Sequence, residues 1–180
     1  MINFIGIIAG EPNSINSEII AKAWKNKKNK KNFFIIGNYS LFKKQINKIG
    51  IKLPISKINT ARDIKDNKKL NILDVPLKSK SIFKHGNTAT KNYVFKCFEI
   101  AHNLASSKKI KGFINTPINK KIFSNKYLGV TEYLASKNNV KHKEVMMIYN
   151  KKLSVVPLTT HVEIKKITGK IKLSLIKTKI

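Results

Sequence analysis

The sequence predicts an α/β protein, a mostly parallel sheet with flanking helices, and three observations lead to that class. Short apolar runs recur along the 180-residue chain, several of them closed by glycine or proline, as buried parallel strands are. Stretches with helical spacing of apolar residues lie between them. Hydrophobic residues make up 42% and charged residues 26% of the chain, a balance that suits a globular core at this length.

The elements follow in order. INFIGIIAG, ending at Gly10, reads as the first strand, and EPNS as the turn after it. The next helix places Ile19, Ile20, Ala23 and Trp24 on one face, with Ser14, Asn16 and Ser17 as candidate caps. AKAWKNKKNKKN reads as a helix end and a solvated loop. FFIIG is a second strand, and YSLFKKQINKI a helix with Leu41, Phe42, Gln45, Ile46 and Ile49 at helical spacing. LNILDV is a further strand, leading through a loop at Pro76 to a long helix from about Thr88 to Ser106. GFINTP runs as a strand into a proline-marked loop. VMMIY and LSVVPLTTH read as two more strands around the turn Asn150-Lys151-Lys152. In TGKIKLSLIKTKI the residues Ile171, Leu173 and Leu175 alternate like a strand, whereas Ile171, Leu175 and Ile176 suit a helix, so both remain open. The chain stops at Ile180 without a capping signal and reads as cut short.

Charge and cysteine usage narrow the function classes. The formal charge of +28 invites a nucleic-acid reading, yet of 37 basic residues only Arg62 is arginine, the usual bidentate reader of phosphate and guanine. The lysines spread over the whole chain together with many Asn and Ile, residues that share A/T-rich codons, and no aromatic residues interleave with the basic runs. Weak, salt-dependent binding to polyanions is expected; specific nucleic-acid recognition is not. Cys97 is the only cysteine, which excludes an intramolecular disulfide and a cysteine-clustered zinc site, and its apolar neighbours predict a buried structural thiol. No apolar run approaches the roughly 20 residues of a membrane span, and the start lacks a signal-peptide pattern. A cytoplasmic protein without membrane partners is expected.

In open α/β sheets, ligands bind beyond the carboxyl ends of the strands. Three segments are expected there: Gly10-Glu11-Pro12, Asn115 to Lys120, and Thr159-Thr160-His161. A fourth, Gly129 to Glu132, opens a helix with Thr131 as a candidate N-cap and free N–H groups that suit an anion. His161, expected to end an apolar strand, could ligate a metal or move a proton. His85, His102 and His142 show no spacing that completes a site, although His102 should lie on the long helix. No G-x-G-x-x-G or Walker loop occurs, which excludes a standard Rossmann or P-loop reading.

Taken in this order, the segments resemble the 4-hydroxythreonine-4-phosphate dehydrogenase family of vitamin B6 biosynthesis. IGIIAGEPNSINSEI is similar to the family's opening strand and G-D-P-x-G-I-G-P-E-I pattern. GNTATKNYVFKCFEIAHNLASSKKIKGFINTPINKKIF resembles its stretch ending in T-x-P-I-N-K. LGVTEYLA is similar to G-H-T-E-x-L-A, and EVMMIYNKKLSVVPLTTHVEI to the segment ending in T-T-H. The resemblance implies the amino-terminal part of a two-domain fold like that of isocitrate and isopropylmalate dehydrogenases, with the carboxy-terminal part absent. It implies NAD (or NADP) and a divalent metal such as zinc, magnesium or cobalt. The implied reaction is oxidation with decarboxylation of 4-phosphooxy-L-threonine, in a site at a homodimer interface. The catalytic residue itself is not assigned.

By the same resemblance, His161 falls on a metal-ligand position, Thr131 on a substrate-binding threonine, and Asn119 and Lys120 on the P-I-N-K motif that lines the cleft. Val130 stands where the family has histidine, Glu11 replaces the aspartate of the opening motif, and Asn13, Ser14 and Asn16 stand in place of the glycines after it. With further metal and phosphate ligands lying in the family's second half, the chain alone is expected to be inactive or nearly so. Two alternatives remain: a non-catalytic remnant or binding module of the same fold, and a basic nucleic-acid-binding protein.

Overall fold

The computed structural model describes residues 4–26, 32–64, 68–77, 81–83, 87–123, 126–141, 143–160 and 162–179. His85, His142 and His161 lie outside them, as do the lysines between 27 and 31. The chain divides into two compact units, one reaching from Met1 to Ile122 and the other from Phe123 to Ile180.

The first unit is built on five parallel strands. They are β1 (Ile5–Ile8), β2 (Phe33–Gly37), β3 (Ile55–Ile58), β4 (Leu70–Asp74) and β5 (Gly112–Asn115), in the spatial order β3-β4-β2-β1-β5. The apolar runs read from the sequence fill the middle of this order: Phe34, Ile35 and Ile36 of β2 and Leu70 and Ile72 of β4 are fully buried. A strand covered on both faces has no polar side to show, hence its continuous apolar run. The pairings fix the register, with Ile7 opposite Ile35 on one side and Ile114 on the other. Strand β3, the edge strand ISKI, carries no run long enough to announce it. It pairs with β4 from Ile55↔Leu70 to Ile58↔Leu73.

Helices α1 (Asn16–Lys25) and α2 (Tyr39–Lys48) share one face of the sheet, where Ile20, Ala21, Trp24, Phe42 and Ile46 pack on Ile35, Leu70 and Ile72. The face of α1 differs from the expected one. Ala21 and Asn16 are buried, whereas Ile19 is 41% exposed and Ala23 faces solvent, a rotation of the stripe that the four-residue spacing left undecided. Ile49, expected to continue the stripe of α2, lies past its end and is exposed. Helix α3 (Asn87–Ser106) contributes Tyr93, Val94, Cys97, Phe98 and Ala101 to the core, with Phe98 edge-on to Phe113 of β5 at 6.5 Å.

The second unit is assembled from smaller pieces. Helix α4 (Val130–Lys137) buries Tyr133, which meets the rings of Phe123 and Tyr127 at 5.8 and 5.3 Å. The two expected strands shrink to β6 (Ile148–Tyr149) and β7 (Ser154–Val155), an antiparallel pair separate from the five-stranded sheet. Asn150 closes its turn, donating from its backbone N–H to Leu153 O at 3.0 Å. The ambiguous last segment is helical: α5 (Ile167–Lys170) and α6 (Leu173–Lys179) follow each other, and Lys179 Nζ donates to Glu144 O. No helix of the described residues is long and apolar enough to cross a membrane.

Candidate functional site

The strand order locates the site. The chain runs outward from β1 to β2 and β4, then returns to lay β5 on the other side of β1. The loops leaving β1 and β5 therefore diverge at a topological switch point, where an open parallel sheet has its ligand crevice. Two of the segments expected at strand ends stand here, Gly10-Glu11-Pro12 after β1 and Thr116 to Lys120 after β5.

The two loops are tied to each other by side chains. Thr116 Oγ1 donates to Ile8 O at 3.0 Å and is buried. Asn16, 1% exposed at the first turn of α1, donates from Nδ2 to Pro117 O at 2.9 Å. The Glu11 carboxylate accepts from the Asn119 N–H at 3.1 Å. Within the β1–α1 turn, Ser14 Oγ donates to Glu11 O at 2.6 Å and accepts from the Asn16 N–H at 3.2 Å. Ser14 and Asn16 thus serve the turn and not as helix caps: the cap position is Ile15, with no side-chain capping bond. Gly10 makes the close approach possible. Its φ of +71° is left-handed, and a Cβ there would lie 2.3 Å from Thr116 Oγ1 and 2.6 Å from Asn16 Nδ2.

Beyond this knot the rim is open. Asn119 and Lys120 are exposed, and Lys120 begins a short 3₁₀ turn (Lys120–Phe123), so an ammonium and a carboxamide stand at the switch point. Val130 and Thr131 belong to the second unit, where they are the first two residues of α4. Gly129 holds the cap position, so Thr131 is an exposed helical residue and not the N-cap that its place before the helix predicted. The expectation that Thr159, Thr160 and His161 follow a strand of the parallel sheet is also corrected. Strand β7 ends at Val155, pairs only with β6, and is followed by irregular chain through Thr160. His161 itself lies outside the described residues, and His102 sits on α3 as expected.

In the first unit, the ends of β2 and β4 carry a polar cluster. Asn38 caps α2, its side chain accepting from the Leu41 N–H at 2.8 Å and donating to Val75 O at 3.0 Å. Asp74 accepts from the Tyr39 N–H at 2.8 Å and pairs with Lys57 Nζ at 2.7 Å. Tyr93 accepts from the Asn38 N–H at 2.8 Å, and burial, reinforced by the neighbouring Cys97, pushes its hydroxyl well above the usual phenol range. Burial also pushes the Cys97 thiol up to about 12, which agrees with a structural thiol and not a nucleophile.

The fit to a metal or dinucleotide is poor in this part of the molecule. Among the described residues no three His, Cys, Asp or Glu side chains converge, so these residues alone do not hold a divalent ion. The first βα turn, the usual pyrophosphate cradle, is filled by the side chains of Thr116 and Asn16, which occupy the space beside Gly10. In the sequence Glu11 stands in a strand-end segment and departs from the family's aspartate, and Asn16 is a candidate cap; neither shows its role as a tie between loops. Their partners lie 108 and 101 residues away, a separation that leaves no local signal.

Fold and rim define an α/β protein of the parallel, switch-point type. Comparison with known proteins is more specific. Residues 29–180 match the model of a family described as pyridoxal phosphate biosynthetic protein PdxA, and the chain belongs to that family. It is 31% identical over 178 residues to the 4-hydroxythreonine-4-phosphate dehydrogenase of Hydrogenobaculum sp., covering 97% of this chain and 56% of the relative. The corresponding protein of Aquifex aeolicus is 33% identical over 175 residues, covering 93% of this chain and 52% of the relative. The crystal structure of a 4-hydroxythreonine-4-phosphate dehydrogenase from Burkholderia phymatum superposes with a TM-score of 0.85 at 25% identity, over 99% of this chain and 56% of that one. The chain spans about half the length of the curated relatives it matches.

Proposed function

We propose that this chain supplies the substrate-side framework of a dehydrogenase that oxidises, with decarboxylation, 4-phosphooxy-L-threonine for pyridoxal phosphate synthesis, in a fold akin to isocitrate dehydrogenase. The supporting observation is the tied pair of loops at the β1/β5 switch point, which presents Asn119 and Lys120. In this reading Lys120 attracts the anionic substrate as a point charge, and Asn119 orients it. Thr131 contributes a hydroxyl, and His161 is a metal-ligand position. NAD (or NADP) accepts the hydride, and a divalent ion polarises the alcohol when bound. The set of metal ligands is completed from outside the described residues, including a partner subunit in a homodimer.

Val130, where the family has histidine, removes one polar contact to substrate, a loss on the order of 1–3 kcal/mol. That substitution favours a second reading, a non-catalytic remnant or binding module that keeps the sheet but has lost the reaction and its metal-dependent substrate site. In either case the chain alone is expected to be inactive or nearly so. Zinc, magnesium and cobalt are titrated in the presence of 4-phosphooxy-L-threonine and NAD, with NADH formation and isothermal titration calorimetry as the two measurements. Metal-dependent substrate binding with little or no NADH supports the proposal. Absence of any metal-dependent binding favours the remnant.

A further inference from the structure

We infer that Glu11 and Asn16 are positioning residues, which together fix the loop from Pro117 to Lys120 against the first βα turn and so set where Asn119 and Lys120 stand. The inference rests on the reading of Asn119 and Lys120 as substrate-facing groups. Its physical basis is independent of that reading. Each of the two side chains grips the loop through a main-chain atom: Asn16 Nδ2 on the Pro117 carbonyl at 2.9 Å, and Glu11 Oε2 on the Asn119 N–H at 3.1 Å. A grip on main chain moves the backbone that carries the functional side chains and leaves those side chains unencumbered. Thr116 fastens the base of the loop to β1 through Ile8 O, so the segment is held at 116, 117 and 119.

Asn16 is also an unusual choice for stability alone. It is 1% exposed, and while Nδ2 is satisfied, Oδ1 is buried with no hydrogen-bond partner among the described residues. Buried carboxamides normally satisfy both ends, and an orphaned acceptor is destabilising. A side chain that carries such a penalty and still spans to a loop 101 residues away acts on geometry more than on stability. Gly10 belongs to the same device, because any Cβ there would displace both Thr116 Oγ1 and Asn16 Nδ2.

The test is made on the full chain by amide hydrogen exchange and chemical shifts, first without ligand. Glu11→Ala is expected to speed exchange of the Asn119 amide about tenfold, the loss of one charge-assisted bond. Glu11→Gln, which keeps an acceptor oxygen, should restore part of that protection. Asn16→Ala should shift the Pro117 carbonyl and the Ile118 amide, with the amides of β2 and β4 unchanged and the denaturation midpoint little moved. Unchanged exchange at Asn119 in Glu11→Ala, or unchanged shifts at 117 and 118 in Asn16→Ala, would overturn the inference. A second titration with 4-phosphooxy-L-threonine separates the two claims. Ligand shifts at Asn119 and Lys120 that weaken at least fivefold in both variants support the positioning role. Ligand that moves neither residue in the unaltered chain overturns the substrate-facing reading and the positioning role built on it, whereas the tether itself is still decided by exchange.

Discussion

At the scale of single residues, two positions test the physics most sharply. Gly10 has a left-handed φ of +71° and no room for a Cβ, with Thr116 Oγ1 2.3 Å from where it would stand. Gly10→Ala should cost about 2–4 kcal/mol, roughly 1–2 for the backbone conformation and the rest for displacing Thr116 and Asn16. Gly112→Ala is the control, since a Cβ there meets nothing within 4 Å, and it should move stability by less than about 0.5 kcal/mol. Urea unfolding of both variants measures the difference, and equal effects would mean that the β1–α1 turn is not packed as described. Cys97 is the second position. Its thiol is held neutral by burial, raised from 9.0 to about 12, and Tyr93 beside it is raised in the same direction. Groups raised in this way stabilise the fold fully below their unfolded-state values. That contribution drains as pH climbs from about 9 toward 12, because the unfolded chain loses its protons first. Stability should therefore fall across that alkaline window, and an aromatic disulfide reagent at neutral pH should react with Cys97 only as fast as the protein opens. Rapid stoichiometric labelling of the native chain would contradict the burial.

Among the elements, legibility followed burial. The runs FFIIG and LNILDV were readable because β2 and β4 are covered on both faces, and a strand so covered must be apolar throughout. ISKI was not readable, since β3 lies at the sheet edge, where half-exposed residues and Lys57 interrupt the run. The strand expected to carry Thr159 to His161 failed for a related reason. LSVVPLTTH has strand composition, but among its described residues only Ser154 and Val155 find a partner, and composition without a partner does not make a strand. Of the candidate site, Asn119 and Lys120 were placed at a strand end by pattern alone, whereas the knot that holds them depends on pairings no local window contains. Helix α2 offers the element-scale prediction. Asn38 caps it through Leu41 N–H and also holds Val75 O, so Asn38→Ala removes a cap and orphans a carbonyl. The expected loss is about 1–2 kcal/mol. Hydrogen exchange should show it concentrated in the first turn of α2 and at the end of β4; uniform loosening of all strands would argue against a local capping role.

For the whole molecule, the dominant quantity is the net charge of +28, carried by 36 lysines and one arginine among 37 basic residues. Among the described residues lysines stand on all six helices and on the edge strand β3: Lys25 ends α1, Lys57 lies on β3, Lys120 follows β5 and Lys137 ends α4. A field of this kind attracts any polyanion, and on the proposed reading it would also raise the local concentration of an anionic substrate at Lys120. It does not read sequence, because lysine is a point charge without the planar fork that matches a base edge. The distinction is measurable by fluorescence anisotropy with labelled oligonucleotides of unrelated sequence. Binding should be indifferent to sequence and fall steeply with salt, by about 10³-fold or more between 50 and 200 mM if six or more phosphates are neutralised. Arg62→Ala removes one charge in 37 and should leave the affinity nearly unchanged. Submicromolar binding at physiological salt that distinguishes one oligonucleotide from another, and that collapses in Arg62→Ala, would instead mark the chain as a specific reader of nucleic acid and displace the proposed dehydrogenase framework.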